Sequence, residues 1–257
     1  MDKSVFLKHK NGVGYIIINR PKANSYEINF MKQLITVLDK AENDKDIKVI
    51  VLKSALRKFF CAGADIKVFE ANSVADNKIL VEHAQKAAYK LANGKKVTLA
   101  AINGHALGGG LELAMACDLR LGADSSYLLG LPEIKLGLIP GNGGSQRLIR
   151  LINKTRAMEL LLTGDTFGAQ EAYRLGLFNH LYKVDDFEEK VTAYAEKLSS
   201  GPSGAMMAIK QCVNKGLELP LSQGLELEDK LVGQLYETED AQEGLKAFLE
   251  KREPKIK

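Results

Sequence analysis

The stretch Asn103–Asp118, NGHALGGGLELAMACD, holds the residue types best suited to chemistry. Gly108, Gly109 and Gly110 follow an apolar run, Val97–Ile102, and precede a second one, Leu111–Cys117. That order predicts a strand, a turn bare of side chains, and the start of a buried helix. Glycines in such a turn let a ligand reach main-chain atoms. The first N–H groups of a helix lack internal acceptors and lie at the positive end of its dipole, so an oxygen that carries or develops negative charge fits there. Close strand–helix packing is the alternative use of the same glycines. The run is not a dinucleotide fingerprint, because GGGLEL lacks the third glycine at the required spacing, and no Gly-Lys-Ser/Thr follows to make a phosphate loop.

Glu112 falls in the first turn of that helix, among Leu111, Leu113, Ala114, Met115 and Ala116. A carboxyl in such company is partly desolvated, which raises its pKa toward the range useful for proton transfer. Its plainer role is to compensate the helix dipole. Glu133 follows Pro132 in a second glycine- and proline-punctuated stretch, Gly130–Leu148, and alone it reads as an N-terminal helix carboxylate. As a pair, two glutamates beside glycine-rich turns can hold one water and move protons at two neighbouring atoms. Other candidates have simpler uses. His105 is packed or solvent-facing, Asp65 caps a helix, and Cys61 and Cys117 are small buried apolar residues. Lys251, Arg252, Lys255 and Lys257 form a basic end, either solvated or in contact with a ligand phosphate.

Alternating apolar residues about Asn11-Gly12 predict a hairpin. Ser25 is expected to cap a helix carrying Ile28, Met31, Leu34, Ile35 and Leu38. Ile47–Leu52 and Val97–Ile102 read as strands buried on both faces of a parallel sheet. Asp76–Asn93 is helical, with Ile79, Leu80, His83, Ala87 and Leu91 along one stripe. Leu119–Ala123 and Tyr127–Leu129 are further short strands. Beyond Leu148 helical patterns dominate, at Phe187–Leu198, Met206–Val213 and Leu221–Leu249. A break near Ser200 divides an α/β core, residues 1–200, from a helical region, 201–257.

The 257 residues suffice for a large core. The net charge of +4 is spread without a basic run, which gives no support to nucleic-acid binding. The cysteines, three in all, and the four histidines form no metal-ligand spacing, and the odd cysteine count fits reduced thiols in a cytoplasmic compartment. No apolar run reaches membrane-spanning length, and no targeting peptide is expected from MDKSVFLKHK.

Five blocks in order carry a resemblance over nearly the whole chain: NRPKA at Asn19–Ala23, FCAGADIK at Phe60–Lys67, NGHALGGGLELAMACD at Asn103–Asp118, PEIKLGLIPGNGGSQRL at Pro132–Leu148, and FLEKR at Phe248–Arg252. With them the chain resembles the crotonase, or enoyl-CoA hydratase/isomerase, superfamily. The resemblance implies a ββα spiroid core with a C-terminal helical region that builds homotrimers or dimers of trimers. It implies an acyl-CoA thioester as ligand and no separate cofactor or metal. It assigns the oxyanion-holding N–H groups to Ala64 and Gly109 and the acidic positions to Glu112 and Glu133. The CoA moiety would run along Lys22, Ala23, Ala62, Ala64, Asp65, Ile66, Lys67 and Gly109, with Lys251 at a phosphate.

Both glutamates favour hydration of a 2-enoyl-CoA, in fatty-acid or branched acyl-CoA metabolism. Double-bond isomerisation or a specialised dehydration is the alternative, and a non-catalytic acyl-CoA- or RNA-binding relative is the rival from another class. Two departures touch substrate choice: Asn24-Ser25-Tyr26-Glu27 is one residue shorter than the family pattern, and Leu128–Leu131 is one longer. Either Tyr26 or the leucines reshape the acyl pocket, or both departures are loop variation without effect on substrate.

Overall fold

A computed structural model describes residues 3–256. The chain opens with a hairpin, β1 (Val5–Lys10) against β2 (Val13–Ile18). Asn11 and Gly12 make its turn with φ of 50° and 75°, the left-handed pair that a tight hairpin turn requires. Strands β3 (Val49–Ser54), β5 (Val97–Ile102), β7 (Leu119–Asp124) and β10 (His180–Lys183) then add in parallel, giving the order β1-β2-β3-β5-β7-β10. The inner strands are buried on both faces, as their unbroken apolar runs demand. Short strands β4 (Phe59–Cys61), β6 (His105–Leu107), β8 (Leu128–Gly130) and β9 (Phe167–Gly168) form a second sheet.

Helix α1 (Ile28–Asn43) buries Phe30, Met31, Leu34 and Leu38. Its cap is Glu27, not Ser25: the Glu27 carboxylate accepts from the N–H groups of Asn29 and Phe30 at 3.1 and 3.2 Å. Ser25 is excluded because Tyr26, next in the chain, is extended and pairs with Ala64. Short α2 (Ile66–Ala71) precedes α3 (Val74–Asn93), which is capped by Ser73. The buried face of α3 is Leu80, Ala84, Ala87, Ala88 and Leu91, whereas Ile79, expected on it, is exposed. Helix α4 (Gly109–Ala116) is buried along its whole length, consistent with its lack of a polar face. A 3₁₀ turn spans Pro132–Leu136, followed by α5 (Gly144–Leu151), α6 (Lys154–Thr163), α7 (Ala169–Arg174) and α8 (Phe187–Ser199).

Helix α9 (Ser203–Gly216) returns to the core. The buried Lys210 sends its Nζ to the carbonyls of Leu91 and Lys96, at 3.1 and 2.9 Å, and to Asp118 at 2.8 Å. The periodic stretch Leu221–Leu249 is two helices, α10 (Leu221–Leu235) and α11 (Glu239–Leu249), with Thr238 capping the second. Among the described residues no helix is long and apolar enough to cross a membrane.

Candidate functional site

The three glycines before and within α4 answer to three different neighbours. Gly108 has φ of 51°, a conformation that side chains resist, and a Cβ there would stand 2.8 Å from Glu133 Oε1. A Cβ on Gly109 would come within 1.7 Å of the Tyr26 hydroxyl oxygen, and one on Gly110 within 2.1 Å of the Cys61 carbonyl oxygen. Gly110 therefore serves close packing, while Gly108 and Gly109 keep main chain bare beside polar groups.

A second bare segment lies alongside. Gly63, at φ of 86°, would clash through a Cβ with the Leu107 carbonyl oxygen at 2.9 Å and approach the Gly109 nitrogen at 3.2 Å. Tyr26 donates to the Gly63 carbonyl and accepts from the Asp65 N–H, both at 2.9 Å. Those bonds use one edge of the Gly63–Asp65 segment, so the Ala64 N–H points from the other edge. Gly109 is the first residue of α4, and its N–H has no intrahelical acceptor. The Ala64 and Gly109 segments are thus brought together.

Glu112 is almost completely buried, at 1 % exposure. Its Oε1 accepts from the N–H groups of Asn142 and Gly144, each at 2.7 Å. Burial raises its pKa, and the two N–H donors and the Arg147 guanidinium partly oppose that rise. Glu133 sits in the 3₁₀ turn with its Oε1 against Gly108 and its Oε2 buried without a partner. Burial, aided by the charge of Glu112, pushes its pKa up to about 7. The two carboxyls therefore share one corner under different conditions. Glu112 is held by fixed donors, and Glu133 is desolvated with little to stabilise its charge. Two neighbouring carboxyls under such unequal support are able to divide base and acid roles between them.

The remaining candidates are distributed around this corner or away from it. Asp65 occupies the cap position of α2 but makes no cap bond; its carboxylate takes Arg20 at 3.0 Å instead. Ala62 donates to the Ala23 carbonyl at 3.1 Å, and Lys22, Ile66 and Lys67 are exposed beside that segment. Lys251, exposed after α11, is not among the residues gathered around Glu112 and Glu133, and Lys257 lies outside the described residues. His105 packs its ring 5.0 Å from that of Phe59 and accepts from the Leu128 N–H at 3.0 Å. Cys61 and Cys117 are buried free thiols. No group of three or more His, Cys, Asp or Glu among the described residues could hold a metal ion.

Two residues of the corner escaped the sequence reading. Asn142 was one letter in a glycine-rich loop. Tyr26 stood out only as a departure expected to shape a pocket, yet it is buried at 3 % exposure, with its hydroxyl accepting from Asn142 Nδ2 at 2.9 Å. Of the lengthened stretch, Leu129 and Leu131 are buried and Leu128 is exposed.

The chain as a whole is similar to known proteins. Residues 8–257 match the model of the family described as enoyl-CoA hydratase/isomerase. A probable enoyl-CoA hydratase of Mycobacterium bovis is 40 % identical over 255 residues, covering 99 % of this chain and 98 % of that protein. A short-chain-enoyl-CoA hydratase of Clostridium acetobutylicum is 36 % identical, covering 97 % of this chain and 95 % of its own. Among solved structures, an enoyl-CoA hydratase from Geobacillus kaustophilus superposes with a TM-score of 0.96 at 37 % identity, over 100 % of this chain and 97 % of the other. One from Bacillus anthracis gives 0.95 at 36 %, over 99 % of both.

Proposed function

The chain belongs to the enoyl-CoA hydratase/isomerase family, and on that premise we infer that it is an enoyl-CoA hydratase. It is a hydro-lyase that reversibly adds water to a 2-trans-enoyl-CoA to give the 3-hydroxyacyl-CoA. The observation that carries this reading is the meeting of Glu112 and Glu133 at the N-terminus of α4, with unequal support for their charges.

Attack of water on Cβ drives electron density onto the thioester oxygen. The N–H groups of Ala64 and Gly109 receive that oxygen, and preorganised donors of this kind lower a barrier by about 3 kcal/mol each. Glu112, whose Oε1 accepts from the Asn142 and Gly144 N–H groups, takes a proton from the attacking water. Glu133, which keeps its proton up to near-neutral pH, delivers it to Cα. The water oxygen and the proton arrive from the side on which both carboxyls lie, so addition is syn. One proton leaves water and one reaches carbon, and the chemistry as drawn needs no further cofactor.

The CoA moiety lies along Lys22, Ala23, Ala62, Asp65, Ile66 and Lys67, with Lys251 reserved for a phosphate. The exposed apolar residues of α10 and α11, among them Leu221, Leu225, Phe248 and Leu249, support assembly into homotrimers or dimers of trimers. Free cysteines fit a cytoplasmic setting.

The test is a panel of 2-enoyl-CoA thioesters of varied length and branching, read by loss of the conjugated-thioester absorbance. Wild type is expected to hydrate at least one, and Glu112→Gln to lose about 10²–10⁴-fold in kcat while still binding CoA. Double-bond isomerisation retained in Glu112→Gln and lost only in Glu133→Gln would overturn the hydratase reading.

A further inference from the structure

Tyr26 brings a phenol into the same corner as the two carboxyls. Its backbone is fixed by pairing with Gly63 and Asp65, and its ring stacks on Phe30 with centroids 6.5 Å apart. Its hydroxyl lies against Gly109 and accepts from Asn142 Nδ2 at 2.9 Å. Asn142 is held at two further points: its N–H donates to Glu112 Oε1 and its carbonyl accepts from Arg147 Nη1, both at 2.7 Å. Unpartnered buried polar atoms are rare in folded proteins. Here Asn142 Oδ1 and Glu133 Oε2 are both of that kind.

We propose that Tyr26 and Asn142 form one positioning unit for the proton-transfer site: the phenol oxygen fixes the Asn142 amide, and Asn142 thereby fixes the Glu112 carboxylate beside the N-terminus of α4. The identity of the chemistry served rests on the hydratase reading, whereas the positioning rests on the hydrogen bonds alone. Tyr26→Phe leaves Asn142 Nδ2 without its acceptor, and the loop that holds Glu112 loses one of its fixed points. A tyrosine that merely fills space has no such consequence, because phenylalanine keeps the ring.

The groups facing Glu112 are Gly144 and Arg147 from α5, Glu133 from the 3₁₀ turn, Asn142 from the loop before α5, and Tyr26 from the segment before α1, itself beside the Cys61 thiol. Looser N–H donors stabilise the carboxylate less, so the acid limb of the kcat profile moves to higher pH.

The experiment uses the full chain and the 2-butenoyl thioester of CoA. Tyr26→Phe, Asn142→Ala and the double variant are each expected to lose about 10- to 100-fold in kcat. KM should stay within about twofold, and the double should be no worse than the worse single. Wild-type kcat in Tyr26→Phe, a loss confined to KM, or losses that multiply in the double variant would each overturn the unit. If Tyr26→Phe does not fold, Asn142→Ala, which keeps the ring, gives the same reading. A second readout needs no turnover: in protein carrying ¹³C-carboxyl glutamate, the Glu112 resonance, identified by its loss in Glu112→Gln, should titrate at higher pH in Tyr26→Phe. An unchanged titration overturns the proposal. A wild type that hydrates no 2-enoyl thioester but shows the shift supports the unit and removes the hydratase reading instead.

Discussion

Glu133→Gln separates the cost of a charge from the use of a proton. The carboxyl of Glu133 moves from an ordinary 4.5 to about 7 because burial and the nearby Glu112 disfavour its ionised form. At about 1.4 kcal/mol per pH unit the ceiling on that cost is about 3 kcal/mol. Glu133 is only partly buried, so screening by water leaves about 1–2 kcal/mol. The sign follows from proton binding. Below the unfolded value both states are protonated and nothing is lost. Between about 4.5 and 7 the unfolded chain releases the proton first, and stability falls as pH rises through the folded value. Glutamine carries no charge and escapes this loss. Thermal unfolding of both proteins at pH 4, 6 and 8 should therefore show no gap at the lowest pH and a variant more stable by roughly 3–6 °C at the highest. In the proposed mechanism the same proton supports turnover, so kcat/KM of wild type should decline above about pH 7, and the variant should lose about 10²–10⁴-fold. A stability gap independent of pH, or a wild type more stable than the variant at pH 8, would refute the assignment of a costly charge to Glu133.

Two further substitutions probe the frame of the site. Gly109→Ala would drive a Cβ to 1.7 Å from the Tyr26 hydroxyl, costing about 3 kcal/mol by overpacking; urea unfolding with near-normal stability would contradict it. Lys210→Met removes the cation from Asp118 and from two carbonyls. It should destabilise by about 3 kcal/mol in urea, with most of the loss recovered by adding Asp118→Asn.

Much of this fold could be read from local chemistry. Asn11-Gly12 announced the hairpin because few other pairs accept two positive φ values in succession. The apolar runs that became β3 and β5 announced a parallel sheet. What escaped was decided at a distance. β10 has only four residues and exists because β7 offers it an edge. The start of α1 is set by the pairing of Tyr26 with Ala64, so a serine with good capping chemistry stands idle and Glu27 does the work. Asp65 has the right position to cap α2, but Arg20 occupies its carboxylate. The periodicity of Leu221–Leu249 continues through the turn between α10 and α11, so the break is invisible to a count of apolar spacing. At the site, the glycines and glutamates were recognisable as residue types. Tyr26 and Asn142 were not, because their roles come from contact across 116 positions of sequence.

The reach of Lys210 also bears on how the chain comes to be folded during synthesis. Asp118 leaves the ribosome about ninety residues ahead of the cation that joins it, an interval of roughly 5–20 s at ordinary translation rates. Through that interval the nascent parallel sheet carries a carboxylate and two carbonyls at one corner still lacking their shared ammonium. The emergence of α9 is thus the event that lets this corner settle, and slowing translation just before it would lengthen the period in which the carboxylate and carbonyls there wait for their ammonium.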